Sequence, residues 1–241
     1  MVSRAVLSYE TIDLMSAQSI RARVRAEMAE EIKSIARRHL ASEGANLSLR
    51  AVARDLGVVS SAIYRYFPSR DDLLTALIVD AYNSIGDAAE AADASVPHED
   101  LLGRWLAITH AIRDWALNQP HEYALIYGSP VPGYRAPQDT VGPATRSTFT
   151  LAGLLRDGVE LGVYQADGEP LPDGVQHDLA RLRAEAFPSV PESLMARGMG
   201  AWILIFGTVS FELFGQFNTV IEDRRAFYDF QMREAFKNIR T

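Results

Sequence analysis

The stretch SLRAVARDLGVVSSAIYRYFPSRDDLL, residues 48–74, leaves little choice of fold. Ser48 is suited to cap a helix whose Leu49, Val52, Ala53 and Leu56 share one face, and Gly57 ends it. A third helix fits roughly Ser60 to Tyr66 before Pro68 breaks it. Ser69 and Asp72 then form an S-x-x-D cap for a long fourth helix through about Ala92. So few residues separate the second and third helices that they must cross at a tight turn. Ala53 is small at the crossing, Gly57 permits the turn, and Ile63 is the inward anchor. Ser60, Ser61, Tyr64 and the tip of Tyr66 then face outward. Two serines and two tyrosines make a poor solvent face and a poor core, so this face is built to touch something.

The outward residues of the second helix in a helix-turn-helix are those that enter a DNA major groove. Serine and tyrosine hydroxyls suit base edges and phosphates, and Arg50, Arg65 and Arg70 around them suit phosphates. Ser48 and Ala62 complete the candidate DNA-binding set. Plainer roles exist for several: Ser60 as an N-cap, Tyr66 half-buried against the first helix, Arg50 and Arg70 as solvated charges.

The net charge of −7 opposes nucleic acid at first sight, but its distribution does not. Residues 18–70 carry ten Lys/Arg against five Asp/Glu, a net of +5, while residues 71–241 carry thirteen against twenty-four, a net of −11. A small basic module on a larger acidic body offers a polyanion one end only. The absence of cysteine removes disulfides, thiolate zinc sites and cysteine nucleophiles, and a reducing cytoplasm is the expected location. The most apolar run, MGAWILIFGTVSF (199–211), is shorter than the roughly 20 residues of a membrane span, so it reads as a deeply buried helix rather than a membrane segment.

The remaining periodicity is helical throughout. Residues 1–17 have no clean period and read as a flexible N-terminal arm. Val24, Met28, Ile32, Ile35 and Ala36 mark a first helix over 21–44 that stops at Gly44. Beyond Pro97, helices are expected over 101–119, 121–128, 144–162, 175–186, 191–217 and 222–239, with loops at 129–143 and 166–174. The class is all-α: a helix-turn-helix domain over 18–68, then a helical domain over 69–241 entered by the connecting helix 69–92.

Residues 48–74 closely resemble the DNA-binding segment of TetR-type repressors. The resemblance rests on the long preceding helix, the Tyr64-x-Tyr66-Phe67 signature and Arg70 at the start of the fourth helix; a histidine is common where Tyr66 stands. The phrases RDWALNQPHEYALIYGSPVPGY (113–134) and AWILIFGTVSFELFGQF (201–217) look like an actinobacterial-type subgroup of TetR C-terminal domains. The resemblance implies a double-stranded DNA operator, a small organic effector and a homodimer joined through the last two long helices.

Aromatic and polar groups on helix 101–119 and nearby make a candidate effector pocket: Trp105, Thr109, His110, Ile112, Arg113, Trp115, Tyr123, Tyr127 and Phe149. Plain core is the equal alternative for the Trp105–Trp115 stripe. For the dimer interface, Phe149, Leu151, Leu155 and Val159 lie beside small Ala152 and Gly153. Trp202, Phe206, Val209 and Leu213 form the facing surface or the core beneath it. No catalytic, metal or cofactor motif emerges: His121–Glu122 lacks a second histidine four residues on, and neither a Walker sequence nor a G-x-S-x-G is present. The rival function is a helical small-molecule binding protein without DNA-binding activity.

Overall fold

The computed structural model describes residues 6–43, 47–164 and 170–240, and helices α1–α10 account for most of them, with no strand among these residues. The chain divides into two compact units between Leu77 and Ile78. The division falls inside α4, which runs Arg70–Ala94.

The first unit, the head, comprises α1 (Val6–Glu43), α2 (Leu49–Leu56), α3 (Ser60–Ile63) and the start of α4. Residues 6–17, expected as a flexible arm, are instead the first turns of α1. No proline or glycine occurs between Val6 and Glu43, so nothing interrupts the helix once it is nucleated. Gly44, the expected stop, and residues 1–5 lie outside the described residues. Ile32, Ile35 and Ala36 of α1, Val52 and Ala53 of α2, Ile63 of α3, and Leu73 and Leu74 of α4 are all buried. His39 Nε2 and Asp55 Oδ2, 2.7 Å apart, tie α1 to α2, and this hydrogen bond holds the Asp55 carboxyl below its ordinary range.

The turn after α2 is set by Gly57, which is left-handed at φ +74°. Gly57 N donates to Arg54 O at 3.1 Å and Val58 N to Ala53 O at 3.0 Å, satisfying the last carbonyls of α2. The helix that follows is shorter than expected: α3 closes at Ile63, and Tyr64–Tyr66 continue as a turn. Ser69 and Asp72 cap α4 as read from the sequence, with Asp72 N donating to Ser69 Oγ at 3.1 Å.

The second unit contains the rest of α4, α5 (Leu101–Asn118), α6 (Pro120–Tyr127), α7 (Val141–Glu160), α8 (Asp173–Ala186), α9 (Glu192–Leu213) and α10 (Arg224–Arg240). Trp105, Ile108, Ile112 and Trp115 are all buried, as their spacing requires. Several groups of α5 are bonded to its neighbours. Trp105 Nε1 donates to Met232 O at 2.7 Å, Tyr228 OH to Thr109 O at 2.9 Å, and Trp115 Nε1 to Ser84 Oγ at 2.9 Å. The Arg113 guanidinium grips Glu212 with two of its three nitrogens, Nε–Oε2 at 2.8 Å and Nη2–Oε1 at 2.6 Å. The expected loop 129–143 is shorter, because a 3-10 turn at Gln138–Thr140 leads into α7 and Pro143 fits its first turn, where no backbone donor is needed.

Helix α9 differs most from its reading. It is long and apolar enough, by length and composition, to cross a membrane. Yet Leu194, Ile205, Val209 and the paired Glu212 lie in the protein core. It is not buried all round either: Met199, Ile203 and Phe211 are 48%, 61% and 53% exposed.

Gly57→Ala is expected to destabilise the head by about 1–2 kcal/mol through the left-handed backbone alone, since a methyl there meets nothing within 4 Å. Urea denaturation checks this, and an unchanged midpoint would contradict the strained-turn account. Glu212→Ala should cost about 3–5 kcal/mol by stranding the buried Arg113, whereas replacing both partners, Arg113→Met with Glu212→Leu, should cost less. Thermal melts of the three proteins decide whether the penalty belongs to the orphaned charge.

Candidate functional site

In the head, the geometry of α2 and α3 exposes a compact polar face. Ser48 is the N-cap of α2, its Oγ accepting from Ala51 N at 3.5 Å, so the residue has a structural role whatever else it touches. The N-cap of α3 is Val59, without a side-chain cap; Ser60 is the first helical residue and not the cap. Around the fully buried Ile63, Ser61 and Arg65 are exposed and Tyr64 is 45% exposed, while Ser60, Ala62 and Tyr66 are half-buried. Of the outward set inferred from the sequence, Ser60 and Ser61 lie on α3 and Tyr64 and Tyr66 in the turn after it, with only Ser61 and Tyr64 fully on the surface.

Two arginines stand differently from expectation. Arg70 opens α4, and its Nη1 lies 3.4 Å from Asp71 Oδ1, so its charge is partly engaged at home. Arg25 of α1, which the sequence reading missed, lies over the Tyr66 ring at 5.2 Å and donates from Nη2 to Arg65 O at 3.0 Å. It supports the end of the turn after α3 and adds positive charge beside it. Only a pairing across forty residues gives it this place, and no local motif marks it. Arg50 is exposed on α2.

In the second unit, a cavity of about 220 Å³ lies among α5, α7, α8, α9 and α10. Trp105, Leu151, Phe187, Met195 and Trp202 supply much of its wall, with Tyr164 and Ile239 beside them. Gly158 of α7 lets Tyr164 fold back into place, because a methyl there would collide with its ring. Burial pushes the Tyr164 phenol up to about 12, so it stays protonated.

Of the nine residues inferred to surround an effector, only Trp105 lines this cavity. Arg113 is spent on Glu212, and His110 Nε2 sits 3.1 Å from Asp229 Oδ1. Thr109 Oγ1 donates to Trp105 O at 2.9 Å. Tyr123 donates to Phe206 O at 3.0 Å, and Tyr127 stacks on Phe206 at 4.4 Å. Ile112 and Trp115 are core, and Phe149 is 49% exposed beside Phe187. Trp105 is the residue of α5 that lines the cavity, and most of the wall comes from α7 and α9 instead.

The residues inferred for a dimer interface also separate. Leu151, Phe206 and Val209 are buried within the chain, whereas Leu155, Val159, Trp202 and Leu213 are partly buried against its core. Phe149 alone of the eight is strongly exposed.

Known proteins agree with this arrangement. Residues 32–77 match the family described as "Bacterial regulatory proteins, tetR family", and residues 105–235 match "Tetracyclin repressor-like, C-terminal domain". The chain is 38% identical over 213 residues to HTH-type transcriptional regulators of Mycobacterium tuberculosis and Mycobacterium bovis, covering 87% of this chain and 91% of theirs. The solved regulatory protein SCO4313 is 35% identical with a TM-score of 0.71, over 90% of this chain and 98% of that one. The TetR family regulator PfmR from Thermus thermophilus shares the fold, with a TM-score of 0.55 at 18% identity over 84% and 97% of the two chains. A helix-turn-helix head, an all-α second unit and relatives that are regulators rather than enzymes lead to one conclusion: the chain belongs to the TetR family of bacterial transcriptional regulators.

Proposed function

We propose that the protein is a homodimeric repressor that grips a pseudo-palindromic DNA operator with two heads and responds to a small apolar effector held in the cavity. The observation that carries the DNA reading is the exposed Ser61–Tyr64–Arg65 face, mounted on a fully buried Ile63. Ser60, Ser61 and Tyr64 lie in the major groove, with Tyr66 at its edge. Arg50, Arg65 and Arg70 meet phosphates, and Arg25 joins them. Such a protein works in the cytoplasm, where DNA and effector meet.

The dimer forms on the outer stripe of α9. Met199, Ile203, Gly207 and Phe211 recur every four residues on one exposed face, and Phe230 of α10 is 56% exposed. Contiguous exposed apolar surface of this kind marks an association site. Phe206 and Val209 form the core beneath it. Two heads then sit about 34–36 Å apart, or wider for more separated half-sites. The effector acts by binding one arrangement of the heads better than another, with α4 the element common to both units.

Tyr64→Ala should lower operator affinity by about 1–3 kcal/mol and relax sequence preference. Arg50→Ala should weaken all duplexes alike and reduce the salt slope by about one. Fluorescence anisotropy with operator and non-operator duplexes separates the two effects; parent-like binding by both variants would move the DNA face elsewhere. Ile203→Glu should give a monomer in sedimentation at micromolar concentration with its helicity retained, and a stable dimer would move the interface off this stripe.

A further inference from the structure

The turn between α2 and α3 carries a residue that neither the core nor the helix end explains. Val59 is the N-cap of α3, in extended backbone at φ −69° and ψ 142°, and it makes no side-chain cap. That conformation suits a serine, threonine or aspartate whose side chain accepts from the helix, and valine is among the poorest residues for it. Nor is Val59 buried: it is 72% exposed, and among the described residues no large apolar side chain is more so. A lone exposed apolar residue needs no explanation in itself. Its place does, because Ser60 and Ser61 follow it and Ser61 is exposed as well. A valine here forgoes a cap and hides little surface within the chain.

Chemistry narrows what could cover it. The first residues of the second helix in a helix-turn-helix meet base edges in the major groove. Valine's side chain neither donates nor accepts a hydrogen bond, so phosphate oxygens and polar base edges gain nothing from it. The major groove offers one apolar group, the methyl of thymine. Packing against it buries two apolar surfaces at once and strips no water from a polar base atom.

We infer that Val59 is a specificity-determining residue that packs on a thymine methyl in each half-site of the operator. The inference rests on the DNA reading of the head and adds the base group that is read. Ser61 and Tyr64 supply the hydrogen bonds beside it, while Val59 supplies an apolar contact that no other base offers in the major groove.

The test takes the full-length protein and a duplex that it enriches from a randomised pool. Each thymine is replaced in turn by deoxyuridine, which removes only the methyl group. At one thymine per half-site the change should weaken binding about fourfold, the worth of one buried methyl group, read by fluorescence anisotropy. Val59→Ser should bind the thymine and uracil duplexes equally at that position. Tyr64→Ala should bind both more weakly yet keep the difference between them. Serine restores a capping side chain, so the thermal midpoint of Val59→Ser should not fall, and a lost preference then reports the lost contact rather than unfolding. Uracil without effect at every thymine in the parent, or the same set of effects in Val59→Ser, would overturn the assignment while leaving the head a reader of DNA. Enrichment of no duplex would overturn the DNA reading itself.

Discussion

The buried Arg113–Glu212 pair is the constraint on which the second unit depends. Both side chains are about 6% exposed, and the guanidinium meets the carboxylate through two nitrogens, so the contact tolerates neither a slip along α9 nor a rotation of it. Such a pair adds little net stability over an apolar replacement, but it penalises every packing that leaves either charge alone. It therefore fixes the register of α9 against α5. That register sends Ile205 and Val209 into the core, Trp202 and Met195 to the cavity, and Ile203 and Phe211 outward. Helix α10 is held by the same groups: the Tyr228 ring lies 5.7 Å from the Arg113 guanidinium, and its hydroxyl reaches back to Thr109 O.

The head solves a smaller problem with local means. Its exposed polar face needs only that α3 leave α2 at the correct angle, which the left-handed Gly57 and the small Ala53 allow. The His39–Asp55 contact then joins α2 to α1, and Arg25 braces the turn that follows α3. Function thus divides by residue type: buried aliphatics and one glycine place the face, and exposed serines, tyrosines and arginines form it.

This division explains what the sequence made legible. The Ser48 cap, the Gly57 stop, the inward Ile63 and the Ser69–Asp72 cap are signals spanning three or four residues, and each is found where its spacing puts it. The position of the cavity was not legible, because polar side chains on α5 look alike whether they face a cavity or a partner helix. The partners of Arg113, His110 and Trp105 lie 99, 119 and 127 residues away. A stripe of apolar residues likewise gives no sign of whether its far side is core or interface, so α9 read as buried when one face is open. Residues 6–17 lack an amphipathic period, yet nothing in them breaks a helix.

The central claim, that the head reads DNA as part of a symmetric pair, is tested most directly by selecting duplexes from a randomised pool with the purified full-length protein. At about 100 mM salt the account predicts enrichment of an inverted repeat whose half-site centres lie about one helical turn apart or wider, bound by an even number of chains. Recovery of no preferred sequence, or of an asymmetric site bound by a single chain, would contradict it.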